Sequence, residues 1–214
     1  MANPWEWDIG THRYRNARTG RFLGAEQMVA MRDEFLSAQA EAARNLAMEL
    51  VSQRVTVQEW VKEMRTVLHD SYVDSYVAAH GGRGTMQSSD WGRLGQMLRE
   101  QYAYLQNFAQ EIAAGKYNPE TAAQAIGYRS EMYVNSSNEA FNRGKGAGYS
   151  GMPALPAYPG DGSTACRTGC RCNWEIVETD TEWQASWQLG ISEHCEDCLH
   201  NASVWNPLVL LKVG

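Results

Sequence analysis

The chain has 214 residues, of which 43% are hydrophobic and 21% charged, with a formal net charge of −6 at pH 7. No apolar run approaches the roughly 20 residues that cross a bilayer, so we predict a soluble protein with no membrane partner. The acidic balance also disfavours a general nucleic-acid binder. The length allows one helical domain followed by a small module.

The first 24 residues predict a basic N-terminal arm. Four arginines fall within this arm with no acidic residue among them: Arg13, Arg15, Arg18 and Arg21. Such an arm can contact DNA phosphates or an acidic patch on a partner protein. An extension that is solvated or packed against a neighbouring segment fits the composition equally well.

Residues 25–143 predict a helical domain, and its first half contains two helices. An alanine-rich helix spans about residues 25–53. Thr56, followed three residues later by Glu59, is typical of a capping box, in which each side chain bonds the backbone of the other residue. Apolar residues at helical spacing follow this pair, which predicts the second helix.

The second half of the helical domain predicts two more helices. After a break at Gly81–Gly84, the polar residues 88–90 can cap a third helix. Asn118 followed by Pro119, at the first helical position, predicts a fourth helix over about residues 120–142. The apolar faces of these helices are expected to bury one another, so no cofactor site is assigned to them.

Residues 144–165 predict a linker and a domain boundary. The segment is rich in glycine and contains Pro153, Pro156 and Pro159, a composition that resists helix formation. Its Gly144-Lys145-Gly146 sequence lacks the Gly-x4-Gly-Lys-Ser/Thr spacing of a phosphate-binding loop. We therefore predict an extended connection and no nucleotide site.

Residues 166–214 predict a small β module. Apolar and polar residues alternate on both sides of a Thr-Asp-Thr turn at residues 179–181, a pattern typical of a β-hairpin. The inward positions are rich in tryptophan, which we interpret as core filling. About fifty residues cannot bury a sizeable core unaided, so the module needs a staple. The whole chain thus predicts a mainly α fold: a four-helix array followed by a linker and a small zinc-stapled β-hairpin module.

The cysteines predict a bound metal ion as the element that stabilises this module. All five lie in the last quarter of the chain and are the candidate metal ligands: Cys166, Cys170, Cys172, Cys195 and Cys198. Their odd number disfavours a disulfide framework, and their clustering disfavours ordinary core cysteines. Two short groups of cysteines, separated along the chain, are typical of a tetrahedral zinc site. Such a site takes four ligands, so one thiol is spare, with His194 or His200 as alternative ligands.

The predicted zinc site is structural. A catalytic zinc keeps an open position and a general base. The zinc deaminases place a His-x-Glu pair upstream of their Cys-x2-Cys, and no such pair precedes Cys195. A zinc hydrolase or deaminase, with Glu193, Glu196 or Asp197 as its base, is the less favoured alternative. We therefore predict no catalytic residues and no enzyme activity.

Several motifs together resemble one family. They are the arm over residues 13–22, the Tyr-Pro-Gly-Asp-Gly-Ser segment at residues 158–163, the Cys-Arg-Cys at residues 170–172 and the His-Cys-x2-Cys at residues 194–198. This combination resembles the minor head proteins of tailed bacteriophages, the head morphogenesis group that includes the Mu F-like proteins. In that group the Cys-x2-Cys usually precedes the Cys-Arg-Cys, whereas here it follows.

The resemblance implies both a ligand set and a role. The ligands it implies are Cys170, Cys172, Cys195 and Cys198, whereas spacing alone favours Cys166 over Cys172. The implied role is that of a structural virion protein near the portal vertex of the phage head, present in the host cytoplasm during assembly. It would act in head assembly or in DNA packaging and delivery, through the portal or major capsid protein and through packaged double-stranded DNA at the four arginines. A zinc-dependent nucleic-acid-binding protein is the alternative.

Overall fold

The computed structural model describes residues 4–117, 119–191 and 193–212, without the side chains of residues 119–121. Long helices account for most of the described chain, which confirms a mainly α fold. They are α1 (Ala25–Val51), α2 (Val57–His80), α3 (Ser88–Ala113), α4 (Pro119–Asn135) and α5 (Ser137–Ala147). The remaining elements are β1 (Trp5–Asp8), β2 (Arg13–Asn16), β3 (Asn173–Glu178), β4 (Glu182–Gln188), α6 (Glu196–Val204) and β5 (Leu208–Leu211).

Helix α2 begins at the predicted capping box. The Thr56 hydroxyl accepts a hydrogen bond from the Glu59 backbone N–H at 3.2 Å, and the Glu59 carboxylate accepts one from the Thr56 N–H at 2.8 Å. The helix ends at Gly81, whose φ of 105° lies in the left-handed region that favours glycine. A side chain at Gly81 would also collide with the Trp7 ring. The cap predicted at Asn118 lies outside the described residues.

The predicted fourth helix is wrong as a single element, because the chain breaks at Ser136 into α4 and α5. The Ser136 hydroxyl donates to the Tyr133 carbonyl at 2.6 Å, and the Ser137 hydroxyl donates to the Val134 carbonyl at 2.7 Å. The Tyr72 hydroxyl also lies 2.6 Å from the Ser136 oxygen. Serine hydroxyls that bond to preceding carbonyls bend helices, so the array has five helices where four were predicted.

The core of the helical array is centred on α2. Its inward face carries large side chains that are 0% exposed: Trp60, Met64, Leu68, Tyr72 and Tyr76. Helix α5 packs closely on this helix at Gly144, where an added Cβ would lie 2.4 Å from the Tyr76 carbonyl oxygen. Gly144 is therefore required by a helix contact, and α5 continues to Ala147 within the segment predicted as a linker.

The N-terminal arm is folded rather than extended. Strands β1 and β2 pair antiparallel, with Trp5 opposite Asn16 and Asp8 opposite Arg13. The Tyr14 hydroxyl donates to the Ala78 carbonyl of α2 at 3.1 Å. The His12 ring stacks on Tyr149 with ring centroids 4.1 Å apart. The arm is thus a hairpin that lies against the helical array.

The C-terminal unit contains the predicted hairpin together with elements that were not predicted. Strands β3 and β4 pair antiparallel across the turn, and β5 adds a third strand on the other side of β4. Helix α6 precedes β5. Three tryptophan rings pack together with centroids 5.3–5.7 Å apart; they are Trp174, Trp187 and Trp205. No helix among the described residues has the length and apolar character to span a membrane.

A buried carboxylate joins α2 to α3. Asp90 is 4% exposed and accepts hydrogen bonds from the Tyr76 hydroxyl at 3.0 Å and from the Gln87 N–H at 2.8 Å. His80 Nε2 lies 3.2 Å from one carboxylate oxygen, and Arg93 lies 3.3 Å from the other. This group fixes the turn between the two helices.

We expect the Asp90→Asn substitution to lower the free energy of unfolding by about 2 kcal/mol, because one of the two buried acceptor oxygens becomes an NH₂ donor that faces other donors. Urea unfolding followed by circular dichroism would measure the change. Asp74→Asn, at an exposed position on α2, is the matched control and should have little effect. Equal unfolding midpoints for the two variants would contradict the proposed role of Asp90 in holding α2 against α3.

Candidate metal centre

The five cysteines come from two short segments that fold against each other. A 3₁₀ turn at Arg167–Gly169 separates Cys166 from Cys170, and the Cys170 N–H donates to the Arg167 carbonyl at 3.3 Å. Cys195 is the N-cap residue of α6, which places Cys198 in the first turn of that helix. The Asp197 carboxylate accepts a hydrogen bond from the Ala165 N–H at 2.7 Å and joins the two segments.

The sulfur atoms lie at a spacing typical of a tetrahedral metal site. Cys166 Sγ lies 3.5 Å from Cys198 Sγ and 3.6 Å from Cys195 Sγ, and Cys170 Sγ lies 3.6 Å from Cys198 Sγ. With metal–sulfur bonds of about 2.3 Å, the sulfurs around a tetrahedral zinc ion lie about 3.8 Å apart. The ligand atoms of Cys166, Cys170 and Cys198 all lie within 4.8 Å of one another. This cluster could hold a metal ion.

Cys172 lies at the edge of the cluster, beside Cys170 and Cys198. It is 2% exposed, and the Gly190 backbone N–H donates a hydrogen bond to its sulfur. All five cysteines are free thiols in the structure. Cys172 is therefore close enough to interact with Cys170 and Cys198.

Contacts within the cluster shift the thiol pKa values in opposite directions. The hydrogen bond from the Cys170 thiol, together with the Gly190 N–H, lowers the pKa of Cys172 to about 5. The same Cys170–Cys172 contact raises the pKa of Cys170, and burial raises the pKa of Cys198. Burial also raises the pKa of Cys195, but N–H donors from Cys198 and Cys166 outweigh it and leave that pKa lowered. Thiolate, the form that binds metals, is thus favoured at Cys172 and Cys195 and disfavoured at Cys170 and Cys198 while no ion is bound.

Buried polar side chains of the helical array hold the cysteine loop. Asn138 of α5 is 0% exposed, and its side-chain amide donates to the carbonyls of Cys170 at 2.8 Å and Cys172 at 3.2 Å. Arg32 of α1, 4% exposed, donates to the Arg171 carbonyl at 2.9 Å and to the Cys172 carbonyl at 3.3 Å. The cysteine loop is therefore anchored on two helices of the array.

We expect Arg32→Met to lower the free energy of unfolding by about 2 kcal/mol, because the Arg171 carbonyl loses its donor and the Cys172 carbonyl keeps only the Asn138 amide. The substitution also removes the cation–π contact of the guanidinium, whose carbon lies 5.4 Å from the Phe141 ring centroid. Arg44→Met removes an arginine that is bonded to Glu131 at the surface and serves as the matched control with little expected change. Thermal unfolding of both variants would test this, and equal melting temperatures would contradict the anchoring role.

Sequence reasoning named the cysteines but missed the side chains that hold them. Arg32, Asn138 and Asn142 lie in helices far from the cysteines in sequence, and the Asn142 side-chain oxygen Oδ1 accepts from the Trp174 backbone N–H at 2.8 Å. The one available signal was a pair of asparagines four residues apart in a helix, which places both on one face. Within the part of the chain described, neither His194 nor His200 belongs to the group of adjacent ligand atoms.

Comparison with protein-family models, curated proteins and solved structures finds no match to this chain.

Proposed function

We propose that the cysteine cluster binds one structural Zn²⁺ ion through Cys166, Cys170, Cys195 and Cys198. The observation that carries this is the chain of sulfur contacts at 3.5–3.6 Å that links these four residues. Thiolate sulfur favours zinc over magnesium or calcium, which take oxygen ligands. Four protein ligands leave no open position for a substrate, so the zinc acts as a staple.

Metal analysis and X-ray absorption of the purified protein test the zinc proposal. We expect about one equivalent of zinc, surrounded by four sulfur atoms at about 2.3 Å. Less than half an equivalent after expression in zinc-supplemented medium would contradict it. A shell containing nitrogen would contradict this ligand set and point to His194 or His200. An oxygen ligand would instead point to an open site and reopen the hydrolase or deaminase alternative.

We further propose that the chain is a structural minor head protein of a tailed bacteriophage that acts through protein contacts. Two observations support this proposal: the sequence motifs described above, and the anchoring of the cysteine loop on α1 and α5, which suits a rigid scaffold. The helices also present large exposed apolar side chains for docking; they include Met31, Met48, Tyr104 and Tyr128. The partners proposed for these surfaces are the portal and major capsid proteins.

Co-purification tests the virion proposal. When the chain is co-expressed with a portal and a major capsid protein of its own phage, we expect it to sediment with the assembled heads and to bind the isolated portal ring. Sedimentation as a free protein under both conditions would overturn the virion proposal. The zinc proposal is measured separately and would stand.

The arginines of the arm support a secondary role in DNA contact. The four side chains are exposed, and Arg13 and Arg15 alternate with Tyr14 so that both lie on the same face of β2. We propose that they contact phosphates of packaged DNA. Binding to double-stranded DNA should fall steeply with salt concentration and should weaken when the arginines are replaced. DNA binding that does not change when the arginines are replaced would exclude the arm as the DNA-contacting segment.

A further inference from the structure

A chamber separate from the cysteine cluster lies between the arm hairpin, the start of α1, the end of α5 and the β3–β4 hairpin. Its volume is about 740 Å³, within the range of about 300–1,000 Å³ that is usual for small-molecule sites. Apolar and aromatic side chains form much of its wall, among them Trp7, Phe141 and Tyr149. A chamber of this size and lining can accommodate a small molecule with an apolar body.

Lys145 supplies a cationic group in this wall. It is half-buried, and its side-chain ammonium has no hydrogen bond and no ion pair within 4 Å among the described residues. An ammonium carries three donors, so this group lacks acceptors from the protein. Burial lowers the pKa of Lys145 to about 8, and the negative charge of Glu175 opposes this effect. Lys145 therefore remains mainly cationic at neutral pH.

The other charged groups around the chamber already have partners or lie at its edge. The Glu178 carboxylate is 2.9 Å from Lys212 Nζ and 3.3 Å from His12 Nε2. Arg13 donates to the Leu23 carbonyl. Glu175 and Asp180 are exposed to solvent. Lys145 is thus the cation of this wall that is left to bind an incoming anion.

The rim of the chamber is held in a strained conformation. The backbone φ of His12 is 49°, in the left-handed region that non-glycine residues seldom adopt. The ring is fixed there by the stack on Tyr149 and the contact with Glu178. Such strain costs about 1–3 kcal/mol and tends to occur at ligand clamps. The arm hairpin is thus packed against Tyr149, Glu178 and the end of α2 at this wall of the chamber.

We propose that this chamber binds a small organic anion, with the apolar body of the ligand against the aromatic wall and its carboxylate, sulfonate or phosphate group on Lys145. The arm hairpin acts as one side of the site. This binding activity is independent of the cysteine cluster and of the proposed virion role.

Two fluorescent probes of similar shape but different charge test the proposal. 8-Anilinonaphthalene-1-sulfonate carries an anionic group, and N-phenyl-1-naphthylamine lacks it. We expect the anionic probe to bind at one saturable site, and Lys145→Gln to weaken that binding about tenfold or more, as expected for the loss of a charge-assisted hydrogen bond. Binding of the neutral probe should not change. Lys62→Gln, at an exposed position on α2, is the control and should bind both probes like the wild type.

A second variant tests whether the anionic probe binds inside the chamber. Ala25 lines the chamber as the first, exposed residue of α1, so Ala25→Trp should block the site without disturbing the core and should abolish binding of the anionic probe. Far-UV circular dichroism verifies that both variants are folded. If Lys145→Gln binds the anionic probe as tightly as the wild type, or if Ala25→Trp leaves binding intact, the proposal is overturned.

Discussion

Replacing Cys198 by serine should abolish zinc binding and unfold the C-terminal unit while leaving the helices α1–α3 in place. Cys198 Sγ is central to the cluster, at 3.5 Å from Cys166 and 3.6 Å from Cys170. Zinc binding contributes roughly 10 kcal/mol or more to the folding of zinc-finger peptides. A unit that relies on this staple is therefore not expected to keep fixed tertiary structure without it. Zinc content and a red shift of tryptophan fluorescence would measure the two losses.

The spare thiol provides the matched control for this prediction. Cys172→Ser should keep about one equivalent of zinc, because Cys166, Cys170, Cys195 and Cys198 already supply the four ligands proposed for the ion. Cys166→Ser should lose the metal, as Cys198→Ser does. The opposite result, with zinc kept in Cys166→Ser and lost in Cys172→Ser, would show that the ligand set implied by the family resemblance is the correct one.

Features set by neighbouring residues could be predicted from the sequence. The capping box at Thr56 and Glu59 depends on residues three positions apart. The hairpin of β3 and β4 depends on alternation around a short turn. The two cysteine groups were predicted to meet, and their sulfur atoms do lie together. The capping box and the hairpin are formed by residues close together in the sequence. The cluster could be predicted because all of its members are cysteines, a rare residue type.

Features that depend on distant partners could not be predicted in the same way. At the break, the Ser136 hydroxyl lies 2.6 Å from the hydroxyl of Tyr72, which approaches from another helix. Strand β5 has four residues, Leu-Val-Leu-Leu, with no alternation, and its pairing with β4 defines it. Short apolar runs of this kind are ambiguous by pattern alone. Tertiary contact decided the structure at both places.

The sequence also could not decide whether Cys166 or Cys172 is the fourth metal ligand. Spacing favoured Cys166 and the family resemblance implied Cys172, and each thiol is within reach of Cys170 along the chain. In the structure the 3₁₀ turn at Arg167–Gly169, with Arg167 at a φ of 47°, lies between Cys166 and Cys170, and the Gly190 N–H donates to Cys172. Neither feature has a signature in the spacing of the cysteines.

Trp174→Ala is expected to lower the free energy of unfolding by about 4 kcal/mol, because it leaves a large cavity at the centre of the C-terminal unit. Trp174 is 0% exposed and packs against Trp187 and Trp205 at centroid distances of 5.3 Å. Its indole N–H also donates to the Ala157 carbonyl at 2.9 Å, which ties down the segment before the cysteines.

Trp174→Phe separates the contribution of ring packing from that of the indole hydrogen bond. It keeps most of the ring packing but leaves the Ala157 carbonyl without its donor, so we expect a smaller loss of about 1–2 kcal/mol. Trp91→Ala, at an exposed position on α3, should change stability little. Urea unfolding of the three zinc-loaded variants would give the order Trp174→Ala, Trp174→Phe, Trp91→Ala from least to most stable. If Trp174→Ala were as stable as Trp91→Ala, the tryptophan cluster would not be the core of the unit, and the metal alone would have to hold its strands together.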